Sequence, residues 1–327
     1  MKAIVYHRYG SPDVLQVEDV DKPSPADDEV LLRVCAASVN PLEWHFIRGK
    51  PYLMRLMAGL RAPKEKRLGV DVSGIVEAVG KNVTELKPGD EVFGHCQGSF
   101  AEYVCTPESA VVTKPANITF EQAAGVNVAG VTALQAMRDR GNLHAGQKVL
   151  INGAAGGVGT FAVQIAKAFG AHVTGVCSTR NADMVRSLGA DRVIDYTQED
   201  FTRRGERYDL LLDNIGNRSL RDCRRVLAPG GVYLMIGTPS FDWLGPLPRM
   251  LAMLVLSKLG SRPLRTHLSR GSKADLLFMK ELMEQGKVTT VIDRTYPLRE
   301  TAEAVRYLEA GHARGKVVIT VGGCERG

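Results

Sequence analysis

Three glycines at regular spacing carry the clearest chemical signal in this chain. Gly153, Gly156 and Gly159 stand in the stretch KVLINGAAGGVGTFAVQIAK, between a predicted short buried strand at 148–151 and a run of helical periodicity at 163–168. A strand, a glycine-rich turn and a helix in this order allow backbone N–H groups to approach a dinucleotide pyrophosphate, which a Cβ in the turn would block. The residues predicted to bind such a cofactor are Gly153, Gly156, Gly157, Val158 and Gly159.

Composition predicts a soluble cytoplasmic protein of two domains. The 327 residues carry a net charge of +6, but the basic residues are mostly interspersed with acidic ones. We therefore interpret them as solvated surface and expect no nucleic-acid partner. The six cysteines are scattered, without a C-x-x-C pair or a Cys–His cluster of metal-ligand spacing. No apolar stretch is long enough to span a membrane, and the N-terminus lacks the shape of a signal peptide.

The elements that must position the glycine turn divide the chain into a β-rich part and an alternating part. Residues 1–122 contain short alternating runs separated by turns, which predicts many strands. Thr119 and Gln122 have the spacing of a helix capping box. After the glycine turn, strands and helices alternate, which predicts an α/β fold with a doubly wound parallel sheet. We predict a first domain at 1–122, a dinucleotide-binding domain at 123–262, and a return to the first domain at 263–327.

The order of these motifs resembles the medium-chain dehydrogenase/reductase superfamily, in its zinc-independent, zeta-crystallin-like quinone oxidoreductase branch. The resemblance covers essentially the whole chain and rests on the stretches YGSPDVL, SVNPLEW, LGVDVSGIVEAVG, KPGDEVFG, NGAAGGVGTFAVQIAK, LGADRVIDY and ARGKVV. It implies a GroES-like catalytic domain, formed by both ends of the chain, and a Rossmann domain inserted between them. It also implies a homo-oligomer, which we expect to be a homodimer.

Two positions bear on a catalytic metal. Zinc-dependent members of this superfamily carry a Cys at the position that Asn40 matches, and a Gly-His-Glu where this chain has Gly69-Val70-Asp71. Valine cannot coordinate zinc, and a catalytic zinc needs about three protein ligands. We therefore expect no zinc. Without a Lewis acid, alcohol oxidation is disfavoured, and the favoured reaction is hydride transfer to an electron-poor quinone or a conjugated enone such as a 2-alkenal.

The residues that follow the second strand of the alternating part indicate the type of nicotinamide cofactor. An Asp or Glu about 20 residues past the glycines would bind the ribose 2′-OH of NADH, but this place reads Cys177-Ser178-Thr179-Arg180. Ser178, Thr179 and Arg180 can donate to a 2′-phosphate, and no carboxylate stands among them, so NADPH is favoured. Asp183 is close enough in sequence that NADH stays an alternative cofactor.

The resemblance implies further cofactor residues. It places Tyr196 near the adenosine phosphate and Thr132 near the nicotinamide, and it adds Asn214, Gly237, Thr238, Gly315 and Lys316. Ligands bind at the carboxyl ends of strands in open α/β sheets, which supports Asn214 and Thr238 independently. For the glycines the alternative is a plain turn, and for Lys316 it is a surface charge.

Four residues are candidates for the chemistry itself. Asn40 could hydrogen-bond the nicotinamide ribose or the acceptor oxygen, or simply begin a turn with Pro41. His45 could donate a proton near neutral pH, and Tyr52 is a later counterpart of a tyrosine donor in relatives. Asp71 could line the cleft or only hold a strand turn. A quinone needs no obligate enzymatic acid, so catalysis could rest mainly on positioning.

Two apolar and basic stretches, 44–60 and 243–259, are expected to contribute to the acceptor pocket. Within the second stretch, Leu251–Lys258 could instead form a core or dimer helix, or the stretch could rest peripherally on a membrane. Two other functions stay open at this point. One is an NADPH-binding protein that acts through a partner, and the other is a zinc-free enzyme resembling alcohol dehydrogenases.

Overall fold

The computed structural model describes residues 1–237, 247–258 and 263–322, so Thr238 and the ends of the 243–259 stretch lie outside the described residues. The chain divides into two compact units. The first contains Met1–Val131, Gly271–Gly286 and Thr290–Gly327, and the second contains Thr132–Arg270 and Lys287–Thr289. The domain boundaries after residues 122 and 262 stay predictions.

The described residues form both β-strands and α-helices. The strands are β1 (Lys2–Val5), β2 (Gln16–Asp19), β3 (Glu29–Val39), β4 (Asp71–Val79), β5 (Glu91–His95), β6 (Tyr103–Pro107), β7 (Val111–Thr113), β8 (Lys148–Asn152), β9 (His172–Cys177), β10 (Arg192–Asp195), β11 (Tyr208–Asp213), β12 (Leu227–Met235), β13 (Leu264–Thr266), β14 (Ile292–Pro297) and β15 (Lys316–Thr320). The α-helices are α1 (Pro41–Arg48), α2 (Arg55–Ala58), α3 (Phe120–Ala124), α4 (Asn127–Gln135), α5 (Gly157–Ala168), α6 (Ala182–Ser187), α7 (Leu220–Arg225), α8 (Leu247–Lys258), α9 (Lys273–Glu284) and α10 (Thr301–Glu309).

The first unit is built on a mainly antiparallel sheet. Over the described residues its strand order is β14-β15-β3-β4-β5-β7, with β6 also pairing β3. Val30, Leu32 and Val34 of β3 are fully buried, which makes this strand the centre of the unit's core. Strand β15 pairs with β3 through Val317 and Val39. This pairing confirms the predicted return of the last strand to the first part of the chain.

The second unit contains the predicted doubly wound sheet. In the part of the chain that the structure describes, its strands run parallel in the order β10-β9-β8-β11-β12-β13. The order reverses between β8 and β11, and ligands bind beside such a reversal at the carboxyl ends of the strands. Gly153, Ser178, Asn214 and Gly237 follow the ends of β8, β9, β11 and β12 at or near this edge.

The predicted capping box at the start of α3 is confirmed. Thr119 Oγ1 accepts from Gln122 N at 3.2 Å, and Gln122 Oε1 accepts from Thr119 N at 2.9 Å. These two bonds satisfy N–H groups that the first helical turn leaves without backbone partners. The helix therefore begins where the local sequence predicts it.

Candidate active site

The glycine-rich turn joins β8 to α5 in a conformation that requires glycine. Gly153 has a φ of +80°, which L side chains rarely adopt. A Cβ on Gly159 would lie 2.1 Å from the Gly153 carbonyl oxygen, so the helix packs directly against the turn. At Gly156, which precedes α5, the nearest protein atom to an added Cβ is 3.6 Å away. The turn is closed toward the protein and open at Gly156, which fits a pyrophosphate approaching the N–H groups of Gly157 and Val158.

The residues predicted to bind the 2′-phosphate come together at the carboxyl ends of β9 and β10. Cys177 pairs with Asp195 across the two parallel strands, and Tyr196 N donates to Cys177 O at 3.1 Å. The Asn181 amide donates to Ser178 Oγ at 3.2 Å. Tyr196 is 52% exposed and Arg180 is also exposed. Their side chains are therefore accessible to a ligand.

The structure adds to this group a carboxylate that reasoning along β9 missed. Asp195 accepts hydrogen bonds from Thr179 Oγ1, from Thr197 N at 2.9 Å and from Thr197 Oγ1 at 2.7 Å. The Thr179 and Thr197 hydrogen bonds hold the pKa of Asp195 below its ordinary value. The contact crosses the sheet, so only the motif VIDY on the next strand could have indicated it. Thr179, predicted as a phosphate donor, already donates to this carboxylate.

Asn214 and Gly237 lie in close contact at the ends of β11 and β12. A Cβ on Gly237 would lie 2.1 Å from Asn214 O, so this approach requires glycine. Asn214 Nδ2 donates to Asn152 O at 3.1 Å. Its Oδ1 is buried and has no hydrogen-bond partner among the described residues. A buried acceptor of this kind fits a ligand that supplies an N–H or O–H, as a nicotinamide nucleotide does.

The sequence reading missed Asp213, the neighbour of Asn214 in the same DNIG stretch. Asp213 is fully buried. Its Oδ1 accepts from Asn152 Nδ2 at 2.8 Å and its Oδ2 from Tyr233 OH at 2.8 Å. Arg249 of α8 donates to the same Tyr233 oxygen at 2.9 Å, and burial, followed by Asp213, raises the pKa of Tyr233. These bonds hold the end of β11 in place. The signal in the sequence was an Asp directly after an apolar run, because a carboxylate at the end of a buried strand needs hydrogen-bond partners.

Thr132 and Gly315, which the resemblance implies as cofactor residues, lie in closely packed surroundings. Thr132 lies on α4 and is 6% exposed. Gly315 has a φ of +80°, and a Cβ there would lie 2.3 Å from Val291 O. The cofactor roles of Thr132 and Gly315 stay predictions, and Thr238 lies outside the described residues.

A buried polar cluster surrounds Asp71, the first residue of β4, in the first unit. Asp71 is fully buried and lies opposite Ser38 in the β3–β4 register. Ser38 Oγ donates to Asp71 Oδ2 at 2.5 Å. Asn127 Nδ2 and Val128 N, at the start of α4, donate to Oδ1 at 3.0 and 2.9 Å. Both carboxylate oxygens are therefore committed to other protein groups.

Asn40 and Lys316 complete the Asp71 cluster. Lys316 begins β15, whose antiparallel register with β3 brings it beside Asn40. Its Nζ lies 2.5 Å from Asn40 Oδ1 and 3.5 Å from Asp71 Oδ2. Asn40 Nδ2 donates to Asp71 Oδ2 at 3.0 Å and to Ser38 O at 3.3 Å. Both N–H groups of the amide are thus engaged, and the Oδ1 retains one lone pair for a ligand.

The surroundings of Lys316 differ from those of a surface lysine. Its side chain is 3% exposed and its ammonium group faces the Asp71 carboxylate. A buried ammonium requires a compensating charge and hydrogen-bond acceptors, and Asp71 and Asn40 supply them. Direct contact between Lys316 and the cofactor stays a prediction.

Glu43 is a second buried carboxyl group that the sequence reading passed over. It is 1% exposed, and its Oε2 accepts from Asn40 N at 2.7 Å. Its Oε1 has no hydrogen-bond partner within the described part of the chain. Burial, followed by the charge of Asp71, raises the pKa of Glu43 to about 8. The group is therefore mostly protonated at pH 7, and the Asn-Pro-x-Glu spacing at the start of α1 was its sequence signal.

His45 and Tyr52 lie on α1 and just beyond it. Burial lowers the pKa of His45, so the ring is neutral at pH 7. Its Nδ1 lies 3.0 Å from Lys50 O, which can only accept, so Nδ1 carries the proton and Nε2 does not. This arrangement does not support His45 as a proton donor. Tyr52 is half-buried, with its ring centre 4.9 Å from the Arg55 guanidinium carbon, and its donor role stays a prediction.

Comparison with known proteins identifies the family. The family described as alcohol dehydrogenase GroES-like domain matches residues 26–116, and the one described as zinc-binding dehydrogenase matches residues 188–319. The NAD(P)H oxidoreductase RTN4IP1, mitochondrial, of Mus musculus is 36% identical, over 98% of this chain and 89% of that protein. The chain belongs to the medium-chain dehydrogenase/reductase superfamily.

Two further members of the superfamily extend this assignment. The NADPH-dependent alkenal/one oxidoreductase, chloroplastic, of Arabidopsis thaliana is 35% identical, over 98% of this chain and 79% of that protein. The structure of the quinone oxidoreductase from Coxiella burnetii is 31% identical with a TM-score of 0.87, over 98% of this chain and 99% of that one. The predicted quinone oxidoreductase-like family, fold class and oxidoreductase activity with a nicotinamide cofactor are confirmed.

The residues of this medium-chain dehydrogenase/reductase do not fit a catalytic zinc. Val70 offers no ligand atom, and the Asp71 oxygens are taken up by protein donors. Over residues 1–237, 247–258 and 263–322, no group of three or more His, Cys, Asp or Glu side chains could hold a metal ion. The zinc-independence of this chain stays a prediction.

Proposed function

We propose that this chain is a zinc-independent, NADPH-dependent oxidoreductase that transfers hydride to a quinone or a conjugated enone such as a 2-alkenal. The Asp71 cluster carries the proposal, because hydrogen bonds occupy the positions where zinc-dependent members bind metal. Without a Lewis acid the acceptor must already be electron-poor. Relatives named alkenal/one oxidoreductase and quinone oxidoreductase support the same class of acceptor.

The second unit supplies the groups that would bind NADPH, which when bound supplies the hydride. The open face of the turn at Gly156 receives the pyrophosphate, and the buried Asn214 Oδ1 accepts from the nicotinamide nucleotide. Ser178, Arg180 and Tyr196 meet the 2′-phosphate. A phosphate binds well to hydroxyl and guanidinium donors of this kind.

The Asp71 cluster in the first unit acts by holding Asn40. Its amide is oriented by Lys316 on one side and Asp71 on the other, which leaves one lone pair of Oδ1 for a ribose or substrate hydroxyl. Asn40 therefore accepts a hydrogen bond from the ligand. It does not donate one to the oxygen of the quinone or enone. The product takes its proton from water or from Tyr52, since His45 Nε2 carries none.

The test is an acceptor profile of the purified protein. We expect NADPH oxidation, followed by the absorbance of the reduced nicotinamide, with 1,4-benzoquinone, 9,10-phenanthrenequinone or a 2-alkenal. Tight NADPH binding without turnover of any acceptor would instead favour a binding protein that acts through a partner. Turnover of simple saturated alcohols with NADP⁺ would favour the alcohol dehydrogenase alternative.

The zinc-independence of the reaction needs a separate measurement. We expect the rate to be unchanged after exhaustive treatment with a chelator. Loss of activity that added zinc restores would refute this part of the proposal while leaving the acceptor class intact. Metal analysis of the untreated protein gives the matching control.

A cytoplasmic homodimer is also proposed. None of the helices over the described residues is long and apolar enough to cross a bilayer. The mouse relative is named as mitochondrial and the Arabidopsis relative as chloroplastic, so cell fractionation must decide the compartment. Sedimentation equilibrium tests the dimer.

A further inference from the structure

The carboxylate of Asp195 is built into the site that would receive the 2′-phosphate of NADPH. Asp195 accepts from Thr179 Oγ1, and Thr179 directly follows Ser178. Tyr196, the other candidate phosphate ligand, directly follows Asp195 and is held to β9 through Cys177 O. The negative charge is therefore next to Tyr196 in the chain and hydrogen-bonded to the residue that follows Ser178, the two groups expected to bind the phosphate.

Hydrogen bonds from Thr179 and Thr197 hold this charge in place. The partners of the Asp195 carboxylate are the Thr179 hydroxyl and the Thr197 amide and hydroxyl groups. Its field reaches the end of β9, because Asp195, after burial itself, helps to raise the pKa of the Cys177 thiol to about 11. Hydrogen bonds stabilise the charged form of a carboxyl group without removing its charge.

We propose that Asp195 sets the balance between the two nicotinamide cofactors by selectively weakening the binding of NADPH. Its charge repels the 2′-phosphate and its hydrogen bond withdraws the Thr179 hydroxyl from that phosphate. The ribose 2′-OH of NADH carries no charge, so the Asp195 carboxylate does not repel it. The inference rests on the proposed nicotinamide-dependent function and adds to it that the chain uses NADH alongside NADPH.

A purely structural role predicts a different outcome. Asp195 also stabilises the turn after β10, since its Oδ1 accepts from Thr197 N. If this were its only role, replacing it would loosen the adenosine end for both dinucleotides equally. The ratio of the two dissociation constants separates the two roles.

The test compares the wild-type protein with Asp195→Asn, which keeps the Oδ1 acceptor and the side-chain shape but removes the charge. Dissociation constants for NADPH and NADH are measured by calorimetry at low ionic strength, without an acceptor. We expect the NADPH constant to fall by about threefold to tenfold, with that of NADH unchanged or higher, because exposed like charges interact weakly but measurably. The effect should shrink as added salt screens the charges.

Asp209→Asn is the matched control. Asp209 lies on β11 and accepts from Lys148 N at 2.8 Å, at the amino end of the same sheet, so its loss should leave the ratio unchanged. A second variant, Asp195→Ser, removes the charge with a smaller side chain and should shift the ratio in the same direction as Asp195→Asn.

Three results would overturn the inference. One is an unchanged ratio in both Asp195 variants, the second is equal weakening of both dinucleotides, and the third is loss of folding in both. Failure of the proposed function looks different, because the wild-type protein would then bind neither dinucleotide.

Discussion

Buried charges at single positions shape the first unit of this protein. Lys316 and Asp71 form a buried pair of opposite charge, while Glu43 is mostly neutral at pH 7 because burial and Asp71 raise its pKa to about 8. The cluster is therefore close to electrically neutral. Removing one member should leave another charge buried without compensation, which costs more than the pair itself contributes.

Lys316→Met tests this balance. We expect the free energy of unfolding to fall by about 3 kcal/mol, because Asp71 would lose the ammonium group that compensates its buried charge. Urea denaturation measures the change. Lys287→Met, at an exposed lysine, is the control and should change stability by less than about 0.5 kcal/mol. Unchanged stability with a much weaker NADPH affinity would instead show that Lys316 acts mainly on the cofactor.

Arg180→Ala tests the other end of the cofactor. Arg180 is exposed beside Ser178, where a guanidinium can form charge-assisted hydrogen bonds to a phosphate. We expect the NADPH dissociation constant to rise about tenfold or more, with little change for NADH. Fluorescence of the bound reduced nicotinamide reports both constants. An equal change for both dinucleotides would refute the phosphate role.

At the scale of elements, the glycines of the turn between β8 and α5 are needed for different reasons. Gly159 is needed for packing, and Gly156 is expected to be needed for binding the pyrophosphate. A Cβ on Gly159 would clash with the Gly153 carbonyl oxygen at 2.1 Å, whereas a Cβ on Gly156 would lie at an ordinary contact distance of 3.6 Å from the same oxygen. The two positions look alike in sequence but differ in what surrounds them. Substitution by alanine should therefore have different consequences at each.

Gly159→Ala is expected to destabilise the fold by about 1–3 kcal/mol, because the added Cβ would clash with the Gly153 carbonyl group 2.1 Å away. Gly156→Ala should change stability by less than about 1 kcal/mol, yet weaken NADPH binding about tenfold or more by obstructing the pyrophosphate. Thermal unfolding and calorimetric titration of both variants measure the contrast. Normal NADPH affinity in a folded Gly156→Ala protein would contradict the placement of the pyrophosphate.

At the scale of the whole molecule, Glu43 makes folding stability depend on pH. Its pKa is raised from 4.5 to about 8 in the folded protein, so between these values the unfolded chain releases a proton that the folded chain retains. Stability from this group is fully present below pH 4.5 and is lost as the pH rises toward 8. The facing charges are Asp71, which raises this pKa, and Lys316, which lowers it.

Glu43→Gln should remove this dependence. We expect the wild-type free energy of unfolding to fall by about 3 kcal/mol more than that of the variant between pH 4.5 and pH 7. Urea unfolding at several pH values gives the difference between the two proteins, in which the other carboxyl groups cancel. Parallel pH profiles would show that Glu43 titrates normally.

The sequence by itself determined the alternation of strands and helices, and hence the parallel sheet, in the second unit. Glycine spacing, alternation of strand and helix, and the capping pattern at Thr119 are local signals, because they depend on backbone geometry within a few residues. They sufficed to predict the glycine turn at Gly153–Gly159 and the α/β fold, and the motif order sufficed for the family.

Only the tertiary structure decided which polar groups meet. Asp195 reaches Thr179 through the register of β10 on β9, and Lys316 reaches Asn40 through the register of β15 on β3, across 276 residues. Neither contact has a local signal, since strand register is set by the packing of the whole sheet. Burial then determined the charge states in the cluster. It raises the pKa of Glu43, so that this group is mostly neutral at pH 7, and it requires Lys316 and Asp71 to pair.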